Sequence, residues 1–96
     1  SLNDVLTERL KLRREMEKSI DAGHFMLYYQ PQFEMKTGRI IGFEALARWN
    51  HPEMGIISPA RFIPIAEQSR LIIPLGALLL KDALAQMAVW RSRTGF

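Results

Sequence analysis

Two β-rich runs, 25–34 and 39–49, are separated by Lys36-Thr37-Gly38 and constrain this chain more than any other feature. Aromatic and branched side chains alternate along both runs, and the glycine-containing segment between them favours a turn. The sequence therefore predicts a β-hairpin. Side-chain alternation along the second run puts Gly42, Glu44, Leu46 and Arg48 on one face, and Phe43, Ala45, Ala47 and Trp49 on the other.

A helix is predicted before the hairpin. Residues 3–22 lack proline and are rich in Leu, Glu, Lys and Arg, and Gly23 follows as a terminator. An approximate apolar stripe along this helix consists of Leu6, Leu10, Met16 and Ile20.

Two more helices are predicted after the hairpin. We expect a loop over 50–58, a helix over 59–68 that Ser58 caps and Pro59 opens, and a last helix from about Pro74 to about Ser92. Pro64 either bends the first of these or marks its first full turn. The last helix has Leu75, Leu79, Ala83, Met87 and Trp90 along one side, with Gly95 as its terminator.

Length and composition limit what this chain can do alone. Its 96 residues are 48% hydrophobic, which suits one folding unit or a piece of a larger one. Because two strands cannot cover the apolar surface of three helices, we expect weak stability in isolation and self-association, as a homodimer or otherwise. The apolar run from Leu71 to Leu80 is too short to span a membrane, so we expect a cytoplasmic location, with any anchor in other segments of a longer protein.

Charge and cysteine content exclude several classes of function. The 13 basic and 10 acidic residues are scattered and give a net charge of +3, which argues against binding a nucleic-acid polymer. The chain has no cysteine, so disulfides and thiolate metal sites are excluded, and any metal must bind oxygen or imidazole ligands. His24 and His51 lack metal-ligand spacing, and we expect both to be structural or exposed.

Glu44 is the candidate for metal chemistry because it lies in the middle of a strand between apolar neighbours. Two interpretations are open: it pairs with Arg48, directly or through a neighbour, or it is a ligand of a hard cation such as Mg²⁺ or Mn²⁺. Arg48 itself is either an ordinary surface arginine or a group that binds a phosphate or a guanine edge. Gln30 has an amide that suits a base edge or a ligand oxygen.

Three motifs together resemble those of EAL domains. They are Tyr28-Tyr29-Gln30-Pro31, Gly42-Phe43-Glu44-Ala45-Leu46-Ala47-Arg48-Trp49, and Ser58-Pro59-Ala60-Arg61-Phe62-Ile63-Pro64-Ile65-Ala66-Glu67. Their order and spacing agree with the family over residues 12–96, which leaves 1–11 as a linker or upstream helix. One departure is Arg70, where the family usually has glycine or another small residue.

The resemblance implies a fold and an activity. The fold is α/β, with this chain as the N-terminal third of a TIM-like (β/α)₈ barrel whose first strand runs antiparallel to its neighbour: a helix, a β-hairpin and two helices. The activity is hydrolysis of the bacterial second messenger cyclic di-GMP to linear pGpG with two Mg²⁺ or Mn²⁺ ions, as in signalling that regulates biofilms and motility.

The resemblance also assigns roles to residues. Glu44 becomes a metal ligand, Gln30 and Arg48 contact the dinucleotide, Leu46 shapes the guanine pocket, and Pro59 lies at the pocket edge. The family's remaining metal ligands and its lysine would follow Phe96, so we expect the 96-residue chain alone to be inactive. The alternative is a catalytically inactive EAL domain that acts as a cyclic di-GMP receptor or protein-interaction module. An upstream GGDEF (diguanylate cyclase) or sensory domain is a further expected partner.

Overall fold

The computed structural model describes residues 1–94, which form three helices and a small three-stranded antiparallel sheet. Its elements are α1 (Leu2–Ala22), β1 (Phe25–Phe33), β2 (Ile40–His51), β3 (Gly55–Ile57), α2 (Pro59–Gln68) and α3 (Ile72–Thr94). The predicted order of helix, hairpin and two helices is confirmed, and β3 is an addition to it. Gly95, the predicted terminator of the last helix, lies outside the described residues.

Helix α1 has a defined cap at each end. Ser1 and Asp4 form a capping box at its start, and Gly23 ends it in the left-handed conformation at φ 77°. Only its second half is buried, at Leu12, Met16 and Ser19. The predicted stripe is therefore wrong at Leu6 and Leu10, which are exposed. The helix is continuous across residue 12, so the domain boundary placed there stays a prediction.

The hairpin has the predicted strands and turn. Strands β1 and β2 pair antiparallel from Phe25 opposite Trp49 to Phe33 opposite Ile40, with an irregularity at Gln32/Phe33. In the turn, Gly38 has φ 69° and donates its N–H to the Glu34 carbonyl at 2.8 Å. A positive φ favours glycine at this position because it has no Cβ.

The predicted loop over 50–58 contains a third strand. In β3, Ile57 pairs with Trp49 and Gly55 pairs with His51, and Gly55 reverses the chain at φ 76°. The loop prediction was wrong here because a three-residue strand has no periodic signal of its own and forms by pairing with β2. As a result, β3 brings the start of α2 beside the end of β2.

The connection between helices α2 and α3 contains a strained residue, Arg70. Helix α2 has the predicted bounds and continues through Pro64, although the Ser58 side chain makes no capping hydrogen bond. Between the helices, Arg70 has φ 64°, a left-handed conformation that costs a residue with a Cβ about 1–2 kcal/mol. This conformation explains why glycine suits the position where the chain departs from the EAL pattern.

The core lies between one face of the sheet and the three helices. Trp49 and Phe62 are fully buried, and Phe25 stacks on Trp49 at 5.0 Å between ring centroids. Burying a large apolar side chain contributes about 1.5–3 kcal/mol, so these rings dominate the packing. Further along, Trp90 of α3 stacks on Phe43 at 4.8 Å.

Much of α3 is uncovered. Leu75 is buried, but Met87 of the predicted stripe is 53% exposed, and Ile73, Leu80 and Leu84 are exposed as well. Within residues 1–94, the segment Ile72–Arg93 has the length, 22 residues, and mean hydropathy, 1.6, of a membrane-spanning helix by these two criteria alone. The prediction that the apolar segment beginning at Leu71 is too short to span a membrane is therefore wrong about length, because the helix continues past Lys81 and Asp82.

Candidate functional site

The hairpin register places four of the five predicted site residues on one surface. Gln30 of β1 lies directly opposite Glu44 of β2, and Tyr28 lies opposite Leu46. Because side chains alternate, Arg48 shares this surface, as the sequence predicted. We call it the open face. It comprises Met26, Tyr28, Gln30, Gln32, Gly42, Glu44, Leu46, Arg48 and Asn50.

The opposite face of the hairpin carries the packing. Phe25, Tyr29, Phe43 and Trp49 lie there and contact aromatic residues of the sheet, α2 or α3. The division follows from alternation in β2, where each chemically active residue is flanked by apolar ones. The packed face holds the strand in place, and the open face carries the predicted site residues.

Glu44 is exposed and has no ion-pair or hydrogen-bond partner among residues 1–94. The interpretation of a Glu44–Arg48 salt bridge is therefore wrong for the part of the chain that the structure describes. The carboxylate remains available to a cation, although one carboxylate does not make a site. No group of three or more His, Asp or Glu side chains able to hold a metal occurs within the described range.

The Arg48 guanidinium is held by neutral groups. Its Nη1 donates to the Ala47 carbonyl at 2.8 Å, and its Cζ lies 5.5 Å from the centroid of the Tyr28 ring. Neither partner is an anion, so the half-buried guanidinium has no carboxylate partner among the residues that the structure describes.

Tyr28 and Asn50, which contact each other on the open face, were not predicted as site residues. The Asn50 amide Nδ2 donates to the Met26 sulfur at 3.0 Å and lies 3.5 Å from the Tyr28 hydroxyl. Alternation continued two residues beyond Arg48 would have included Asn50, and cross-strand pairing would have included Tyr28 had the register been known.

Pro59 lies apart from these residues. It is the first residue of α2 and is half-buried. Since Ile57 pairs with Trp49, the strand β3 leaves Pro59 near the end of β2. Its place at a pocket edge stays a prediction.

Both histidines are structural, as predicted. His51 is 8% exposed and its Nε2 lies 2.8 Å from the Glu15 carboxylate. This hydrogen bond is the main cause that lowers the pKa of Glu15 below its ordinary value of 4.5. His24 Nδ1 lies 3.1 Å from the Ser19 hydroxyl.

A large cavity lies on the packed face instead of the open face. It has a volume of about 470 Å³ and is lined mainly by apolar side chains of β1, β2 and α3, among them Tyr29, Phe43, Ala45, Ala83, Met87 and Trp90. Burial, and then the negative charge of Asp82, raise the pKa of Tyr29 above its ordinary value of 10.0. This cavity contains no carboxylate and is not the candidate site.

Comparisons with known proteins agree with the resemblance. The family model "EAL domain" matches residues 13–96. The chain is 49% identical over 69 residues to the cyclic di-GMP phosphodiesterase PA2567 of Pseudomonas aeruginosa, covering 72% of this chain and 12% of that protein. It is 38% identical over 90 residues to the bifunctional diguanylate cyclase/cyclic di-GMP phosphodiesterase MucR of the same organism, covering 94% of this chain and 13% of that protein.

Solved structures match as well. A PaMucR phosphodiesterase in complex with cyclic di-GMP superposes with a TM-score of 0.83 at 36% identity, over 88% of this chain and 34% of that one. An EAL domain protein from Listeria monocytogenes matches with a TM-score of 0.69 at 28% identity, over 83% of this chain and 32% of that one. The predicted α/β fold of a TIM-like barrel is confirmed. This chain belongs to the EAL domain family and covers the N-terminal part of the domain.

Proposed function

We propose that this chain contributes the first substrate-binding strands of a phosphodiesterase that hydrolyses cyclic di-GMP to linear pGpG. The observation that carries the proposal is the open face, where Gln30, Glu44, Leu46 and Arg48 project from two paired strands and the carboxylate and guanidinium remain unpaired with each other. The names of the relatives support the same substrate.

Each residue has a chemically suitable role. Arg48 binds a phosphate of the dinucleotide, because a planar guanidinium donates several N–H groups to phosphate oxygens. Leu46 contacts a guanine base, and the Gln30 amide hydrogen-bonds to the ligand beside it. Pro59 borders the pocket from the start of α2.

Glu44 suits a hard divalent cation because its carboxylate is exposed and unpaired among residues 1–94. It would hold one of two Mg²⁺ or Mn²⁺ ions, with the other ligands supplied from outside this chain. When bound, such ions activate water and neutralise phosphate charge. The 96-residue chain by itself is proposed to be inactive.

The test is hydrolysis of cyclic di-GMP by the full-length protein with Mg²⁺ or Mn²⁺, with pGpG measured by chromatography. We expect Glu44→Gln to lower the rate at least about 100-fold through loss of a metal ligand. Glu34→Gln is the matched control, since Glu34 is an exposed carboxylate in the same hairpin but outside the open face. A wild-type protein that yields no pGpG, or full activity in Glu44→Gln, would refute the proposal.

Arg48→Ala tests the substrate contact separately. Loss of a charge-assisted hydrogen bond should raise KM about 10- to 100-fold. Arg39→Ala, in the hairpin turn, is its control. Binding of cyclic di-GMP without turnover by the wild type would instead identify a receptor.

A further inference from the structure

The Arg48 guanidinium is supported by an aromatic ring from the neighbouring strand. Its Cζ lies 5.5 Å from the Tyr28 ring centroid, within the range in which a cation is attracted to the face of an aromatic ring. Tyr28 lies opposite Leu46, so Arg48 reaches it diagonally across the strand pair.

This type of support suits an arginine that must bind an anion. A carboxylate partner would neutralise the guanidinium and occupy its N–H edge, whereas a ring contacts its flat face and leaves the edge available. No salt bridge to Arg48 occurs among the residues that the structure describes. Of the five N–H donors of the guanidinium, one is directed at the Ala47 carbonyl.

The Tyr28 hydroxyl also contacts β2, through Asn50. Asn50 is anchored by its backbone N–H, which donates to the His24 carbonyl at 2.9 Å. Its side-chain amide bridges the Met26 sulfur and the Tyr28 hydroxyl. Because 3.5 Å is long for a hydrogen bond, the contact to the hydroxyl restrains the Tyr28 ring, which is 42% exposed, only weakly.

We propose that Tyr28 is a positioning residue, which holds the Arg48 guanidinium in the orientation that binds a phosphate of cyclic di-GMP. This inference rests on the proposed function, because it takes the phosphate contact of Arg48 from there. Tyr28 acts through its ring, and its hydroxyl has only the minor role of contacting Asn50.

The experiment measures cyclic di-GMP affinity by calorimetry, and kcat and KM, for the full-length protein and its variants. Tyr28→Leu removes the ring and should weaken binding about five-fold, mainly through KM. Tyr28→Phe keeps the ring and should remain within about two-fold of wild type. In an Arg48→Ala background, Tyr28→Leu should cause no further loss, because the residue it positions is gone.

Two variants control for folding and for general effects on the hairpin. Tyr28→Ile is a second ring-less variant with a side chain that favours strands, and circular dichroism monitors the fold of each. Lys36→Ala changes an exposed residue of the hairpin turn, outside the open face. It should bind cyclic di-GMP as wild type does.

The outcomes separate this inference from the proposed function. Three results would overturn the positioning role alone. They are an equal loss of affinity from Tyr28→Leu with and without Arg48, a loss of affinity in Tyr28→Phe as large as in Tyr28→Leu, and unchanged affinity in Tyr28→Leu. Failure of both ring-less variants to fold would also overturn it, since Tyr28 would then be structural. Binding without hydrolysis would refute the phosphodiesterase while the binding cycle still decides the role of Tyr28. A wild-type protein that does not bind cyclic di-GMP would refute both.

Discussion

The buried ring of His51 makes two connections that substitutions can break separately. Its Nδ1 accepts hydrogen bonds from the backbone N–H groups of Glu53 and Met54, each at 3.0 Å. Because Nδ1 accepts two bonds, the proton of the neutral ring is on Nε2, which donates to Glu15 at 2.8 Å. One side of the ring thus holds the β2–β3 turn, and the other holds α1.

Substitution of His51 by asparagine or glutamine keeps one of these two connections and removes the other. In His51→Asn, Oδ1 takes the place of Nδ1 and keeps the turn, whereas in His51→Gln, the side-chain Nε2 takes the place of the ring Nε2 and keeps the link to Glu15. His51→Ala loses both. Two backbone hydrogen bonds contribute about 2 kcal/mol together, so Asn should be about 2 kcal/mol more stable than Ala at this position.

The assay is urea denaturation at one fixed protein concentration, followed by tryptophan fluorescence, with amide hydrogen exchange to locate the change. Exchange at Glu53 and Met54 should remain slow in His51→Asn and become fast in His51→Ala and His51→Gln. His24→Ala is the control, because the His24 ring bonds to Ser19 and not to the turn, so exchange at Glu53 and Met54 should remain slow in this variant. Equal stability of the Asn and Ala variants would refute the role assigned to Nδ1.

Three further predictions concern single residues. The pKa of Glu15 is lowered from 4.5, chiefly by its hydrogen bond to His51. Its stabilising contribution is therefore present above pH 4.5 and is lost as the pH falls through the lower folded pKa. In Glu15→Gln, the urea midpoint should fall less steeply at acid pH than in the wild type, and an unchanged acid dependence would contradict this. The pKa of Tyr29 is raised above 10.0, first by burial and second by the charge of Asp82. Its contribution to stability is therefore present below pH 10.0 and is lost as the pH rises through the higher folded pKa. Asp82→Asn should lower this pKa without returning it to 10.0, as measured by tyrosine absorbance in a Tyr28→Phe background. Arg70→Gly should relieve the strain at φ 64° and raise stability by about 1 kcal/mol, whereas Arg70→Ala, which keeps a Cβ, should give no such gain.

Local signals were sufficient for most of the fold. The bounds of α2 followed from Ser58 and Pro59, and the hairpin followed from two alternating runs around Gly38. The errors occurred where the structure depends on contacts between residues that are distant in the sequence. Strand β3 depends on pairing with β2, and the burial of α1 depends on which of its faces the sheet and α2 reach.

The candidate site divides in the same way. Alternation alone placed Glu44, Leu46 and Arg48 on one face, because successive strand residues point to opposite sides whatever surrounds them. Only the hairpin register brought Gln30 opposite Glu44.

The sequence by itself thus determined the family, the order of the elements and which residues of β2 share a face, since motif spacing and strand period are local properties of the chain. The tertiary structure decided that Glu44 and Arg48 do not pair, that the Tyr28 ring lies beside the Arg48 guanidinium, and that His51 joins α1 to the β2–β3 turn. These are contacts between separate segments, and their geometry depends on how the strands pair and the helices pack.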